Sequence, residues 1–220
     1  MIKTTKDQTA QFIKMLVHAP AGSGKTRLCA TAEKPLIISA EGGLLSLREY
    51  DLPFIEVKSL NDLRASFNYI LENISNHDWI CLDSISEIAE TCLAEEKKST
   101  KDGRMAYGNM QDKMTGIIRD FRDLPINVYM SAKQEMIEDP MTGVLIRGPA
   151  MPGKKISQGL AYFFDEVFTI LTKVDENGVF KNTLLTRGDG SCVLKDRSGA
   201  LSQHEPCSLA HVRTKILQEA

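Results

Sequence analysis

The chain has 220 residues, of which 42% are hydrophobic and 25% charged, values typical of a globular protein with one large domain. The formal net charge of −2 excludes a general electrostatic attraction to nucleic acid, so any contact with DNA requires a local basic patch or several subunits together. Five cysteines without a Cys-x-x-Cys pair argue against a zinc site and a disulfide framework, and a sequence without a membrane-length apolar run or an apolar signal core predicts a cytosolic protein.

The first two predicted elements enclose a glycine-rich stretch. Residues 12–17 form an apolar run that predicts a strand, and residues 27–32 predict a helix. Between them, residues 19–26 match the eight-residue phosphate-binding loop at every defined position but the first, where Ala19 replaces glycine. A strand, a glycine-rich turn and a helix are the context that this loop requires, whereas a simple turn would leave the Lys-Thr pair at this spacing to chance.

The residue types in this stretch suit the binding of a polyphosphate. Gly22 and Gly24 have no Cβ, so their backbone can adopt positive φ angles and bring amide groups close to an anion. The ammonium of Lys25 can reach the β- and γ-phosphates of a nucleotide, and the hydroxyl of Thr26 is an oxygen ligand of the kind that Mg2+ prefers. We therefore predict a nucleotide-binding segment composed of Ala21, Gly22, Ser23, Gly24, Lys25, Thr26 and Arg27.

Three further apolar runs predict strands, and two of them lead to an acidic residue. The run 35–39 leads to Glu41, and the run 79–84 contains Asp83, with the run 54–57 between them. Runs that are apolar on both faces are typical of parallel strands covered by helices on each side. Neither acid need be functional: Asp83 could simply cap the following helix, and Glu41 could be a surface acid beside a turn.

Helices are predicted between these strands by apolar residues spaced three and four apart. This spacing occurs over 59–74, 85–93 and 110–121, and Ser59 is the expected cap of the first helix. The apolar stripes are expected to lie in the core. The next apolar run, 126–132, predicts another strand.

Two segments that are polar, or rich in proline and glycine, are predicted as mobile loops. They cover residues 95–109 and 133–158. The second segment carries four cations that could contact a phosphate backbone or the nucleotide of a neighbouring subunit, although a solvated loop would carry them equally well. These cations are Lys133, Arg147, Lys154 and Lys155.

A β-hairpin and a short extension are predicted at the C-terminal end. Asn-Gly at 177–178 separates two runs, 167–173 and 179–185, that read as strands. The extension covers 187–220 and is expected to end in a short helix. The alternation of strands and helices predicts one doubly wound, mostly parallel α/β domain over 1–220, with residues 1–11 as a lead-in.

Short motifs along nearly the whole chain resemble those of phage RecA-like single-strand annealing ATPases, a group of phage nucleotide-binding or AAA-type ATPases. The motifs occur in an order and at spacings that are hard to obtain by chance. They are residues 21–26, 40–43, 82–84, 107–108, 152–155, 164–167 and 195–197. The resemblance implies a RecA-like P-loop NTPase fold and hydrolysis of ATP with Mg2+.

The resemblance also implies roles for individual residues in catalysis. Lys25 and Thr26 would contact phosphate and metal, Asp83 would lie near the metal, and Glu41 would activate the attacking water. At the tip of the strand over 126–132, either Lys133 or Gln134 would sense the γ-phosphate. Lys154 and Lys155, with Arg147, are candidates for contact with DNA or a neighbouring subunit, and Arg197 could act in trans as an arginine finger or form a structural ion pair.

The function implied by the resemblance is a DNA-stimulated ATPase of phage recombination, acting in the host cell by annealing or strand exchange. Its expected partners are single-stranded DNA, a single-strand-binding protein and further copies of the chain in a ring or filament. An alternative is a nucleotide-gated scaffold with little hydrolysis, in which Glu41 has no catalytic role. A small-molecule kinase is disfavoured because the sequence shows no arginine-rich lid.

Overall fold

A computed structural model describes residues 12–139, 141–174, 177–188 and 190–218. Within these ranges the strands are β1 (Lys14–His18), β2 (Pro35–Ser39), β3 (Phe54–Glu56), β4 (Trp79–Asp83), β5 (Asn127–Ala132), β6 (Gln134–Glu138), β7 (Leu145–Pro149), β8 (Glu166–Val174), β9 (Phe180–Leu185), β10 (Lys195–Asp196) and β11 (His204–Pro206). The helices are α1 (Lys25–Cys29), α2 (Leu60–Asn73), α3 (Ile85–Ser99), α4 (Gly103–Arg122), α5 (Lys154–Gly159) and α6 (Leu209–Gln218), with 3-10 helices at Leu44–Tyr50, Ile74–Asn76 and Leu160–Phe163.

Nine of the described strands form one sheet, in the order β3-β2-β4-β5-β1-β8-β9-β11, with β10 alongside β8. The six strands from β3 to β8 are parallel, and β9, β10 and β11 are antiparallel to their neighbours. The strand β5 lies between β1 and β4 and is parallel to both, so the glycine-rich loop after β1 and Asp83 at the end of β4 lie at the same edge of the sheet. The predicted fold class, a mostly parallel α/β sheet with a C-terminal β-hairpin, is confirmed.

Helices cover both faces of the sheet, and the alternation of side chains in β1 shows the two cores. Met15 and Val17 pack on the face covered by α1 and α6, whereas Leu16 packs on the face covered by α2, α3 and α4. Both faces of the central strands are therefore buried, which explains why these strands are continuous apolar runs. No helix in the described ranges is long and apolar enough to cross a membrane.

The segment 95–109, predicted as a mobile loop, is helical over most of its length. The helix α3 continues to Ser99, and α4 begins at Gly103 after Asp102, whose carboxylate accepts a hydrogen bond from the Arg104 amide at 2.8 Å. The reason is a polar contact between the two helices. Glu96 is only 4% exposed and accepts hydrogen bonds from the side chains of Asn109 and Lys113. Hydrophobic periodicity does not detect such a contact.

The segment 133–158 is also more ordered than its composition predicted. It contains an antiparallel hairpin of β6 and β7, in which Ile137 pairs with Ile146, and the start of α5. A Cβ on Gly148 would lie 2.4 Å from Cδ1 of Ile137, so glycine allows the two strands to pack closely. The segment predicted as a mobile loop is therefore a hairpin followed by the start of a helix.

The C-terminal part of the chain is integrated into the domain. The β8–β9 hairpin confirms the prediction made from the Asn-Gly pair, and residues 175–176 within it lie outside the described ranges. The helix α6 buries Leu209, Val212 and Ile216 in the core shared with α1, and the backbone of Leu209 donates to the hydroxyl of Thr31 at 2.9 Å. The predicted lead-in, residues 1–11, lies outside the described residues.

Candidate nucleotide-binding site

The glycine-rich loop connects β1 to α1 at the carboxyl edge of the sheet. Gly22 and Gly24 have φ angles of 74° and 95°, which lie in the left-handed region that residues with a Cβ rarely adopt. The ammonium of Lys25 folds over the loop and donates to the carbonyl oxygens of Ala19 and Pro20 at 2.8 and 2.9 Å. The loop therefore combines a flexible cation with backbone geometry that suits an anion.

A buried tyrosine positions the helix that follows the loop. The hydroxyl of Tyr129, in β5, donates to the carbonyl oxygen of Lys25 at 2.9 Å. Tyr129 is fully buried, and burial raises its pKa well above the usual value, so the group is a neutral donor at physiological pH. This contact fixes α1 against the centre of the sheet.

Asp83 lies directly beside the loop, at the end of β4. One carboxylate oxygen accepts a hydrogen bond of 2.6 Å from the Thr26 hydroxyl, and the other accepts one from the hydroxyl of Ser131 in β5. Asp83 is 4% exposed, so its charge is held between α1 and the sheet rather than in solvent. The structure therefore brings together the two residues predicted to contact the metal.

Glu41 lies next to Asp83, because the tips of β2 and β4 are joined. The Ala40 amide donates to the carbonyl oxygen of Asp83 at 3.0 Å, and the Ser84 hydroxyl donates to a carboxylate oxygen of Glu41 at 2.5 Å. Ser84 also caps α3 by accepting a weak bond of 3.4 Å from the Glu87 amide. Glu41 is exposed, so its carboxylate has access to water while one oxygen is held in place.

The charged groups around Lys25 have opposing effects on its pKa. Burial is the largest influence on the pKa of Lys25 and lowers it, while the charges of Asp83 and Glu41 act in the opposite direction. Lys133 lowers that pKa further because it is also positive. One ammonium and two carboxylates thus share a site at the tips of β1, β2 and β4.

Comparison with models of known families identifies the family of this chain. The AAA_24 family model, described as an AAA domain, matches residues 11–198, which is most of the chain. The chain belongs to this family. Membership supports nucleotide binding and hydrolysis in general for this AAA domain.

Two other comparisons were made for the AAA domain. No curated protein matches it. Among solved structures, it is similar to the KaiC-like protein PH0186 from Pyrococcus horikoshii OT3, with a TM-score of 0.46 and 14% identity over 79% of this chain and 77% of that one.

The residues at the loop of the AAA domain fit Mg2+. The Thr26 hydroxyl and the Asp83 carboxylate are hard oxygen donors 2.6 Å apart, and Ser131 orients the carboxylate from the other side. Hard oxygen donors of this kind are the ligands that Mg2+ prefers, either directly or through its water shell. Thr26 and Asp83 are therefore the residues that would hold the ion, directly or through its water shell.

The two residues considered as γ-phosphate sensors have different surroundings. Lys133 donates to the carboxylates of Glu87 at 2.7 Å and Glu90 at 3.1 Å, so its ammonium is held by α3, and the hydrogen bond to Glu87 is the main reason that its pKa is raised. Gln134 lies between the tips of β1, β5 and β8. Its amide nitrogen is 3.2 Å from Nδ1 of His18 and 3.3 Å from the Thr169 hydroxyl.

His18 is buried in the AAA domain immediately before the glycine-rich loop. Its Nε2 lies 2.8 Å from the carbonyl oxygen of Val193, and burial lowers its pKa to about 4. The imidazole is therefore neutral at physiological pH, with Nε2–H donating to Val193 and Nδ1 accepting from Gln134. The nearby Arg147 lowers the pKa in the same direction.

The remaining predicted cations of the AAA domain contact other partners or are exposed. Arg27 is exposed on α1 and extends toward the 3-10 helix, where its guanidinium is 3.5 Å from Glu49. Arg147 in β7 donates to the Ser191 hydroxyl at 3.1 Å. On α5, Lys154 pairs with Glu138 at 2.9 Å, and Lys155 is exposed.

Arg197 is at the opposite edge of the sheet from the glycine-rich loop. Its guanidinium is 2.6 Å from the carboxylate of Asp165, and the Asp165 amide donates to Lys14, the first residue of β1. The loop follows the other end of that strand. The structure therefore places Arg197 in an ion pair and does not bring it to the loop of the same chain.

Sequence reasoning missed several residues that shape the site. Ser84, Ser131 and Tyr129 act through hydrogen bonds across neighbouring strands, and Asn182 donates from β9 to the carbonyl oxygen of Ser23 at 2.9 Å. The adjacent acid was the available signal for Ser84. The others lie within predicted strands and have no local pattern that distinguishes them.

Proposed function

We propose that this AAA domain is a Mg2+-dependent ATPase that acts on single-stranded DNA in phage recombination. The observation that carries the proposal is the position of Glu41. Its carboxylate is held by Ser84 beside the loop that bears Lys25, and it remains open to solvent. A scaffold that only bound nucleotide would not need an oriented, accessible carboxylate at this point.

The arrangement supports hydrolysis mainly through positioning and charge. The loop amides and Lys25 bind the phosphates, and Glu41 orients a water and accepts its proton. Thr26 and Asp83 would hold Mg2+, which when bound supplies charge neutralisation at the phosphates. The hydrogen bond from Ser84 restricts Glu41 to one orientation, which lowers the entropic cost of reaching the reactive arrangement.

The proposed DNA contact is based on the hairpin that starts next to the site. The strand β6 begins at Gln134, directly after the tip of β5, so the β6–β7 hairpin and α5 are connected to the nucleotide site through backbone. The exposed side chains of Lys154 and Lys155 and the half-buried Arg147 are on these elements. Their charges can neutralise phosphates without reading the bases, as expected for a protein that binds single strands.

The resemblance to phage single-strand annealing ATPases suggests the partners of this ATPase. A recombination ATPase of this kind would cooperate with a single-strand-binding protein and assemble with further copies of itself in a ring or filament. In such an assembly Arg197, which is exposed, could reach the nucleotide of a neighbouring subunit. In the single chain, Arg197 is paired with Asp165, so this role would require the ion pair to open.

ATP turnover measured with and without single-stranded DNA tests the proposal. We expect DNA to raise turnover, and increasing salt to weaken DNA binding steeply. A double variant, Lys154→Ala with Lys155→Ala, should weaken DNA binding and reduce the salt dependence, while the matched pair Lys98→Ala with Lys101→Ala should not. ATP turnover that does not change when DNA is added would contradict the assignment of DNA as the substrate. Tight ATP binding with turnover equal to that of Lys25→Ala would favour the scaffold.

A further inference from the structure

The β8–β9 hairpin projects beyond the sheet on the side of the glycine-rich loop. Thr169 pairs with His18, the last residue of β1, so residues 170–174 continue past the end of that strand. At about 3.4 Å per residue, the projection is about 17 Å. The strand β9 returns alongside it, so the hairpin stands beside the loop that follows His18.

Asn182 attaches this hairpin to the loop. The hydroxyl of Thr172 donates to Oδ1 of Asn182 at 2.7 Å, which orients the amide so that Nδ2 donates to the carbonyl oxygen of Ser23 at 2.9 Å. A Cβ on Gly24 would lie 3.2 Å from the same nitrogen. The hairpin is thus in contact with the loop at the point where α1 begins.

The same face of the hairpin carries an exposed aromatic ring further out. Side chains alternate along a strand, so Leu184, Asn182 and Phe180 point to one side, and Leu184 is buried in the core shared with α1. Val174 is opposite Phe180 in the register and lies on that face too. Phe180 is 75% exposed and Val174 is 57% exposed. An apolar surface therefore lies two residues beyond the contact with Ser23.

We infer that this surface, Phe180 with Val174, is the platform on which the base of the bound nucleotide stacks; the inference rests on the proposed function. The phosphates bind at the loop, and the nucleoside attached to them must extend away from it. The strand that carries Phe180 is attached to the same loop through Asn182, and the ring offers a flat apolar face to a base that is otherwise in water.

Stacking of this kind has a consequence for specificity. Phe180 and Val174 have no side-chain hydrogen-bond donor or acceptor, so they cannot read the edge of the base. Every base has a π-face, and stacking on an aromatic ring is therefore tolerant of base identity. Phe180 contributes to the affinity for ATP and for GTP to a similar extent, and it contributes nothing to the binding of a phosphate chain without a base.

Calorimetric titration of the full chain with Mg2+ and ATP, GTP or inorganic tripolyphosphate tests this inference. Phe180→Ala should weaken the binding of ATP and GTP about tenfold and leave tripolyphosphate unchanged. Phe180→Trp should retain the wild-type affinity for both nucleotides. The control is Tyr162→Ala, which removes an aromatic ring that is 82% exposed on the 3-10 helix Leu160–Phe163; it should change none of the three affinities.

The possible results separate the inference from the proposed function. Wild-type affinity for ATP in Phe180→Ala would overturn the inference and leave the ATPase proposal intact. Equal weakening of tripolyphosphate would also overturn it, because the ring would then act through the loop. Failure of the wild-type chain to bind both ATP and tripolyphosphate would contradict the proposed function itself, and the inference with it.

Discussion

The hydroxyl of Ser84 donates a 2.5 Å hydrogen bond to the carboxylate of Glu41. Ser84 follows Asp83 directly, and Asp83 accepts a hydrogen bond from Thr26 in the loop helix. The proposed metal ligand, Asp83, and the residue that holds the proposed catalytic base, Ser84, are therefore consecutive at one strand tip. Displacement of that tip would disturb both groups together.

Removal of the Ser84 hydroxyl should slow hydrolysis without weakening ATP binding. In Ser84→Ala, Glu41 loses its orienting donor, and a hydrogen bond to a charged group contributes about 1.5–3 kcal/mol, so kcat should fall about 10- to 100-fold. Steady-state kinetics would show the fall in kcat with KM nearly constant. Ser84 also caps α3, and Ser59→Ala, which removes the corresponding cap of α2, is the matched control. An equal fall in kcat in the two variants would attribute the effect to the loss of a helix cap and not to Glu41.

Asp83→Asn should reduce the affinity for Mg2+. The substitution removes the negative charge. It also replaces one of the two oxygens that accept hydrogen bonds from Thr26 and Ser131 by an amide nitrogen, which cannot accept. Changes of this kind near a metal typically cost about 10- to 100-fold in affinity. A titration of ATP turnover against Mg2+ would detect the shift in half-saturation. Asp78→Asn, at the other end of β4, serves as control, and a similar shift in both variants would exclude a specific role for Asp83.

His18 should make the free energy of unfolding depend on pH. Its pKa is lowered from 6.5 to about 4 in the folded chain, so only the unfolded chain binds the proton between these values. Stability is therefore greatest above pH 6.5 and decreases by about 3 kcal/mol as the pH falls to 4. Urea unfolding from pH 7 to pH 4 should show a weaker dependence in His18→Asn and His18→Phe than in wild type. If the free energy of unfolding depended on pH equally in wild type and variants, His18 would not be the source of the pH dependence.

Glu96→Gln should destabilise the contact between α3 and α4. The carboxylate accepts from Asn109 and Lys113, and these bonds lower its pKa, the one from Lys113 most strongly. Its contribution is present above the usual pKa of a glutamate and is lost as the pH falls below it. The melting temperature of the variant should be lower than that of wild type at pH 7, and the difference should shrink in acid. A difference independent of pH would assign the effect to packing.

Local patterns in the sequence were sufficient to predict the sheet and the loop. Pro35–Ser39 and Trp79–Asp83 could be predicted as strands because strands buried on both faces form nearly uninterrupted apolar runs. The loop was recognisable because positive φ angles require glycine at positions 22 and 24. The hairpin followed from Asn177 and Gly178, whose turn chemistry is equally local.

Contacts between distant segments could not be predicted in this way. The hydrogen bond between Glu96 and Lys113 joins two helices, and these helices cover most of a segment whose polarity suggested a loop. Asn182 reaches Ser23 across 159 residues of sequence, and nothing around Asn182 indicates that its strand lies beside the loop. Such contacts depend on the order of strands in the sheet, which hydrophobic periodicity does not contain.

The single-turnover rate of ATP hydrolysis by Glu41→Gln, measured together with the affinity for ATP, tests the central claim most directly. Glutamine keeps the size of the side chain and can still accept from Ser84, but it cannot take a proton from water. The rate should fall about 10²- to 10⁴-fold with little change in affinity, while Glu49→Gln, an exposed acid beside α1, should hydrolyse ATP at the wild-type rate. A Glu41→Gln variant that hydrolyses ATP as fast as wild type would contradict the assignment of Glu41 as the catalytic base.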